Sequence, residues 1–181
     1  MAIIGINGYA GVGKDAVAKI IQELQPDKNW QIKKFSGKLK QMASLLTGVS
    51  VEKFEQQEFK QNRFLPIGDK MYQVREFLQY LGTECVRDLL GKDVWVNALL
   101  KDYKPKENWI ITDMRFPNEL QGVYDKLGIT LRVERVGIKP INAHPSETAL
   151  DNHLFDWIIE NKSSLTFLKN EVVNFLEFHD L

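Results

Sequence analysis

Apolar residues along this chain alternate between two spacings, and the order of those spacings predicts an architecture. Ala2 to Asn7 is a short β-branched run ending in glycine, the pattern of a buried strand. From Asp15 to Leu24 the apolar positions move to Val17, Ile20, Ile21 and Leu24, one face of a helix that Pro26 brings to an end. Gln31 to Phe35 predicts a second strand. Ser36 can then cap a helix carrying Leu39, Met42, Ala43, Leu45 and Leu46, with Gly48 closing it. Val51 to Met71 is polar, holds Pro66 and Gly68, and reads as a mobile insertion.

The second half repeats the alternation. Val74 to Leu90 has strong helical spacing through Phe77, Leu78, Leu81, Cys85 and Leu89. Gly82 inside it costs about 1 kcal/mol against alanine, so a kink or a close ligand approach is expected there. Asp93 to Tyr103 predicts another helix, ended by Pro105. Trp109 to Thr112 is an apolar strand leading into Asp113, and Pro117 can open a helix over 118–127 with Gly128 as its stop. Ile129 to Val136 is a strand, 137–152 a loop with Pro140 and Pro145, and Trp157 to Ile159 a last short strand. A closing helix over 163–178 turns Leu165, Leu168, Val172, Phe175 and Leu176 inward. Five strands alternating with helices predict an α/β fold: a parallel sheet between two helical layers.

Composition narrows the function. A chain of 181 residues with 44% hydrophobic and 27% charged residues is long enough and apolar enough for one domain with a core. Lys+Arg and Asp+Glu both number 24, which argues against a dedicated nucleic-acid binder but leaves room for a local basic cleft. The lone Cys85 allows no intrachain disulfide and reads as a small buried hydrophobe on its helix, which suits a cytoplasmic location. No apolar run approaches the ~20 residues of a membrane span, and the start lacks the basic segment of a secretory signal.

The chemistry begins at Gly8-Tyr9-Ala10-Gly11-Val12-Gly13-Lys14-Asp15-Ala16. Gly8, Gly13 and Lys14 stand at the spacing of a phosphate-binding P-loop, with a strand before and a helix after. Glycines let the backbone curl so that N–H groups converge on phosphate oxygens, and the helix start adds its positive dipole end. Lys14 supplies a point charge. The usual hydroxyl residue after the lysine is Asp15 here. A carboxylate can hold Mg²⁺ directly or through water, or it can simply favour the helix N-terminus.

Ligands of open parallel sheets bind beyond the carboxyl ends of the strands. Asp113 stands where a P-loop protein often places a metal-linked acid, and Arg115 can offer a forked donor to a transferring phosphate; the alternative for the two is a structural ion pair. Arg135 lies near the end of the following strand. Lys40 lies on the helix where a second substrate could enter, with Arg75, Thr83 and Trp95 on the two middle helices. Trp95 can stack on a base or fill the core. His144 and Glu147 read as a solvated turn.

Taken together, these motifs resemble the bacteriophage-type deoxynucleoside monophosphate kinases of the P-loop nucleotide-kinase group. The resemblance rests on Gly13-Lys14-Asp15, on Leu81-Gly82-Thr83 with Trp95 twelve residues later, and on Asp113-x-Arg115 followed by Asn118-Glu119. It also rests on Arg135 before a glycine-containing loop, His144-x-Ser146-Glu147, and Asp156…Asn161-x-Ser163-Ser164-Leu165. Tyr9 and Ala10 depart from relatives that carry basic residues in the loop, and 51–71 matches poorly.

The resemblance implies a single P-loop kinase domain of three α/β/α layers around a five-stranded parallel sheet. It implies a helical substrate-binding insertion at about 36–104 and a lid loop at about 137–152. It implies transfer of the γ-phosphoryl of ATP to a deoxynucleoside monophosphate, with Mg²⁺ held by Asp15 and Asp113 through water. Gly8, Ala10, Gly11, Val12, Gly13, Lys14, Asp15, Ala16 and Arg135 would hold ATP, and Lys14, Asp15, Asp113 and Arg115 would serve catalysis. Lys40, Arg75, Gly82, Thr83 and Trp95 would hold the acceptor. Small nucleotides, and neither nucleic acid nor membrane, are the expected partners; a homodimer is a reasonable expectation. The alternatives are a kinase of another small metabolite, of the dephospho-coenzyme A or shikimate type, and a P-loop switch without an acceptor.

Overall fold

A computed structural model describes residues 2–162 and 164–181; Ser163, the first residue of the expected closing helix, and Met1 lie outside the described residues. In chain order the first elements are β1 (Ile3–Asn7), α1 (Lys14–Leu24), β2 (Gln31–Lys33), α2 (Gly37–Thr47) and α3 (Gln57–Asn62). The hairpin strands β3 (Phe64–Ile67) and β4 (Lys70–Gln73) follow, then α4 (Val74–Tyr80), a π-helical segment (Leu81–Arg87), α5 (Asp88–Leu90) and α6 (Val94–Leu100). The chain finishes with β5 (Trp109–Ile111), α7 (Pro117–Tyr124), β6 (Ile129–Glu134), α8 (Pro145–Thr148), β7 (Trp157–Glu160) and α9 (Leu165–Phe178). These elements fall into two compact units, one built from the chain up to Lys34 with Asp102–Leu181, the other from Phe35–Lys101. Among the described residues no helix is long and apolar enough to cross a membrane.

The first unit is a five-stranded sheet in the order β2-β5-β1-β6-β7, with every pairing parallel. Its central strand is apolar on both sides because both sides are covered. Ile4 and Ile6 face α1 and α9, where Val17, Ile21, Leu168, Val172 and Phe175 complete a core with Ile110, Leu131 and Ile159. The other face meets α7 at close range: a Cβ on Gly5 would lie 2.9 Å from Val123 Cγ2. The result is the three-layer α/β/α arrangement that the strand–helix alternation predicts. The chain leaves β1 toward β2, then adds β6 and β7 on the other side of β1. The crevice at the strands' carboxyl ends therefore gathers the loops after β1, β5 and β6.

The second unit has its own core of Ala43, Phe54, Leu65, Val74, Phe77, Leu78, Leu81 and Val86. The stretch 51–71, read from the sequence as a mobile insertion, holds defined elements. Fully buried Phe54 anchors a 3₁₀ turn at Lys53–Glu55, and β3 pairs antiparallel with β4 across Gly68-Asp69. Pro66 is tolerated because a two-stranded hairpin has only edges. The helix over 74–90 is helical throughout but widens into the π segment. Gly82 there lets Leu39 approach closely: its Cδ2 would lie 2.7 Å from an added Cβ.

Further differences are local. Ser36 stands at the N-cap of α2 without a side-chain cap bond, and Ser164 caps α9 by accepting from the Phe167 N–H. Leu45, Leu46, Leu89 and Leu165, which the periodicity turns inward, are exposed, because each lies at a helix end where packing runs out. Cys85 is half-buried rather than buried. α7 stops at Tyr124, with Leu127 and not Gly128 taking the left-handed conformation.

Candidate phosphate-binding site and its flanking residues

The loop between β1 and α1 curls because Gly8, Gly11 and Gly13 all have positive φ, at 145°, 86° and 109°. At Gly8 nothing larger fits: a Cβ would lie 2.4 Å from the Val133 carbonyl oxygen on β6. The curl returns on itself through Lys14, whose ammonium donates to the carbonyl oxygens of Gly8 (2.6 Å) and Tyr9 (2.8 Å). Burial lowers the Lys14 pKa from 10.5 to about 8, and the nearby Arg115 guanidinium adds to the effect. Asp15, Glu147 and Asp113 act in the opposite direction. These five charged residues, from two helices and the loop after β5, therefore share one small region of the first unit.

The turn after β5 is set by a carboxyl group. Glu119 on α7 is buried, and its Oε2 accepts from the N–H groups of Arg115 (2.6 Å) and Phe116 (3.1 Å). The second of these is the N3-to-N-cap bond of a helix start whose first position is Pro117. It fixes how Asp113 and Arg115 leave the sheet. Burial pushes the Glu119 carboxyl up from 4.5 to about 8, helped by Asp113 and opposed by the two backbone N–H groups.

A single oxygen can accept both bonds while the other carries a proton. Between about 4.5 and 8 the folded chain holds this proton and the unfolded chain does not. The stability this contributes is full below the unfolded value and is lost as pH rises through the folded one. Urea unfolding from pH 5 to 8 should therefore show wild type losing stability relative to Glu119→Gln, which has nothing to titrate. Parallel curves would show that Glu119 is ionised throughout.

Arg115 reaches across to α8. Its NH1 donates to Glu147 Oε1 (2.6 Å) and to the Ser146 carbonyl (2.9 Å). The Glu147 side chain is only 2% exposed. The reading of His144 and Glu147 as a solvated turn is thus corrected. His144 caps α8, with Nδ1 accepting from the Ser146 N–H, and Glu147 is a buried partner of Arg115.

Arg132 on β6 is another residue that sequence reasoning missed. Its guanidinium bonds Asn7 Oδ1 (3.1 Å), the Leu150 carbonyl (3.2 Å) and Glu134 (2.8 Å), and lies 5.6 Å from the ring centres of both Tyr9 and Phe155. Asn7 in turn donates to the Met114 carbonyl (2.8 Å). The available signal was an arginine between Leu131 and Val133 in a parallel strand, where a charge requires partners. Arg135 itself is exposed. It lines a cavity of about 340 Å³ beside the loop, together with Tyr9, Val12, Glu160, Asn161 and Lys162.

In the second unit Lys40 and Arg75 are both buried. Lys40 pairs with Glu55 at 2.6 Å, and Arg75 donates to Gln57 Oε1 at 2.9 Å. Thr83 is buried in the π segment. Trp95 is half-buried against the core, and its indole N–H donates to the Gly82 carbonyl at 2.8 Å, a carbonyl of the segment where the helix widens.

The loop fits a polyphosphate: a glycine-built curl, a buried ammonium held by two loop carbonyls, and a forked arginine nearby. Among the described residues no group of three or more His, Cys, Asp or Glu could cage a metal. Asp15 and Asp113 fit the other mode, in which Mg²⁺ keeps waters and phosphate oxygens and takes one or two carboxylates.

Comparison with known proteins gives consistent results. The profile of a family described as deoxynucleotide monophosphate kinase matches residues 32–172, a span that begins after the glycine loop. A protein of Acanthamoeba polyphaga mimivirus, provisionally named a deoxynucleotide monophosphate kinase, is 26% identical over 193 residues, covering 96% of this chain and 95% of that one. The deoxynucleoside-5'-monophosphate kinase of Escherichia phage T5 is 23% identical over 240 residues, covering 97% and 96%. Among solved structures, the shikimate kinase of Aquifex aeolicus superposes with a TM-score of 0.50 at 12% identity over 98% of both chains, a likeness of fold alone.

Proposed function

We propose donor and acceptor roles for the residues above from one premise: the chain belongs to the deoxynucleotide monophosphate kinase family. It is a kinase of a deoxynucleoside monophosphate. ATP is the donor. Its triphosphate lies in the curl of residues 8–16 against Lys14, and its nucleoside lies in the cavity bounded by Tyr9, Arg135 and Asn161. The observation that carries this reading is the buried Lys14 ammonium, held by loop carbonyls and surrounded by Asp15, Asp113 and Arg115.

Asp15 and Asp113 would hold Mg²⁺, which would supply charge neutralisation to the phosphates. The attacking oxygen already belongs to a phosphate, so it needs little deprotonation at neutral pH. The protein's own contribution is positioning and charge. Arg115 offers its fork to the transferring group, and Lys14 offsets charge on the donor. In the second unit, which we assign to the acceptor, Lys40 and Arg75 take its phosphate while Thr83 and Trp95 bound its nucleoside. The loop over 137–152 excludes water from the reaction. Its Ser146 and Glu147 hold Arg115, so loop placement and arginine placement are linked.

The test is ADP release from ATP and Mg²⁺ with each deoxynucleoside monophosphate in turn. Release that depends on one or a few of them supports the reading. Release without acceptor indicates a nucleotide-hydrolysing switch, and release only with a non-nucleotide acceptor indicates another metabolite kinase. In the same assay Trp95→Ala should raise the acceptor KM about tenfold or more, as loss of base stacking does, and leave the ATP KM unchanged. An unchanged acceptor KM would return Trp95 to core packing.

A further inference from the structure

Asn161 lies just after β7, and its backbone N–H extends the sheet by donating to the Glu134 carbonyl at 2.7 Å. That bond fixes a buried side chain, whose Nδ2 donates to the Val12 carbonyl in the glycine loop at 2.8 Å. The peptide joining Val12 to Gly13 is trans, as every described peptide is. In a planar trans peptide the C=O and the following N–H point in opposite directions. A Val12 carbonyl held toward Asn161 therefore turns the Gly13 N–H away from it. Without that bond the peptide can rotate, and its oxygen would exchange places with the donor that an anion needs.

Gly13 is adapted to the same contact. A Cβ there would lie 2.7 Å from Asn161 Nδ2, and φ is +109°, so the amide approaches a position open only to glycine.

We propose that Asn161 is a positioning residue for the polyphosphate: it sets the Val12–Gly13 peptide so that the Gly13 N–H, not the Val12 oxygen, faces the phosphate chain. This rests on the reading of residues 8–15 as the donor site. It gives Asn161 a role distinct from its place in the wall of the neighbouring cavity, where it could only meet a nucleoside.

Inorganic tripolyphosphate separates these roles because it has no nucleoside. Its binding and that of ATP would be measured by calorimetry, with Mg²⁺ present, for wild type, Asn161→Ala and Asn161→Leu. The leucine nearly fills the same space with neither the N–H donor nor a charge to repel phosphate, so it carries the test should the alanine variant unfold. The expected result is a loss of about tenfold or more in affinity for tripolyphosphate, a matching loss for ATP, and an unchanged acceptor KM. Retained tripolyphosphate affinity overturns the proposal, including the case in which ATP affinity alone falls and Asn161 acts on the nucleoside. Wild-type protein that takes up neither ligand removes the donor-site reading itself, and this proposal with it.

Discussion

Lys14→Ala is expected to lower kcat by about a thousandfold without lowering the melting temperature of the nucleotide-free protein. In the absence of nucleotide, burial and Arg115 both oppose the charged form, which Asp15, Glu147, Asp113 and two loop carbonyls only partly compensate. The folded pKa of about 8 lies below the unfolded 10.5. Between those values the unfolded chain binds the extra proton, so this residue's contribution to stability rises with pH across that window. Below it, holding Lys14 charged costs stability, and the alanine variant is relieved of that cost. A bound triphosphate reverses the balance by adding negative charge beside the ammonium. ATP binding to wild type near pH 8 should therefore take up protons, measurable by calorimetry in buffers of different ionisation enthalpy, whereas Lys14→Ala should take up none by this route. Normal turnover in the variant would remove the donor-site assignment.

What the sequence could reveal followed from how local each constraint is. The sheet was legible because parallel strands covered on both faces are short apolar runs, and Ile3–Asn7 and Trp109–Ile111 are such runs. The glycine loop was legible because its conformation depends on residues adjacent in sequence. The hairpin of β3 and β4 was hidden because its apolar residues serve only the small core around Phe54, and Pro66 suggested a break.

Contacts over long sequence distances were illegible for a related reason. Arg115 and Glu147 are 32 residues apart, and Asn161 and Val12 are 149 apart. No periodicity records such a pairing. The turn at Glu119 was recoverable in principle, since a glutamate two residues after a proline at a helix start is a capping signal.

Arg115 has two separable duties, and a double replacement distinguishes them. Arg115→Ala should lower kcat by about a hundredfold or more if the fork meets the transferring phosphate. It should also destabilise the fold by about 2–3 kcal/mol, because Glu147, 2% exposed, is left without its guanidinium partner. Stability loss alone could imitate a catalytic defect. Adding Glu147→Gln removes the uncompensated charge, so the pair Arg115→Ala with Glu147→Gln should regain most of the lost stability and none of the lost turnover. Arg115→Lys keeps one charge near Glu147 but cannot donate as a fork, so it should be nearly as stable as wild type and still slow. Restored turnover in the double variant would mean that Arg115 acts only by holding α8. Unchanged kcat in Arg115→Ala, with a lower melting temperature, would mean the same. Failure of both rescued and conservative variants to turn over, with their stability intact, leaves the guanidinium itself as the group the reaction requires.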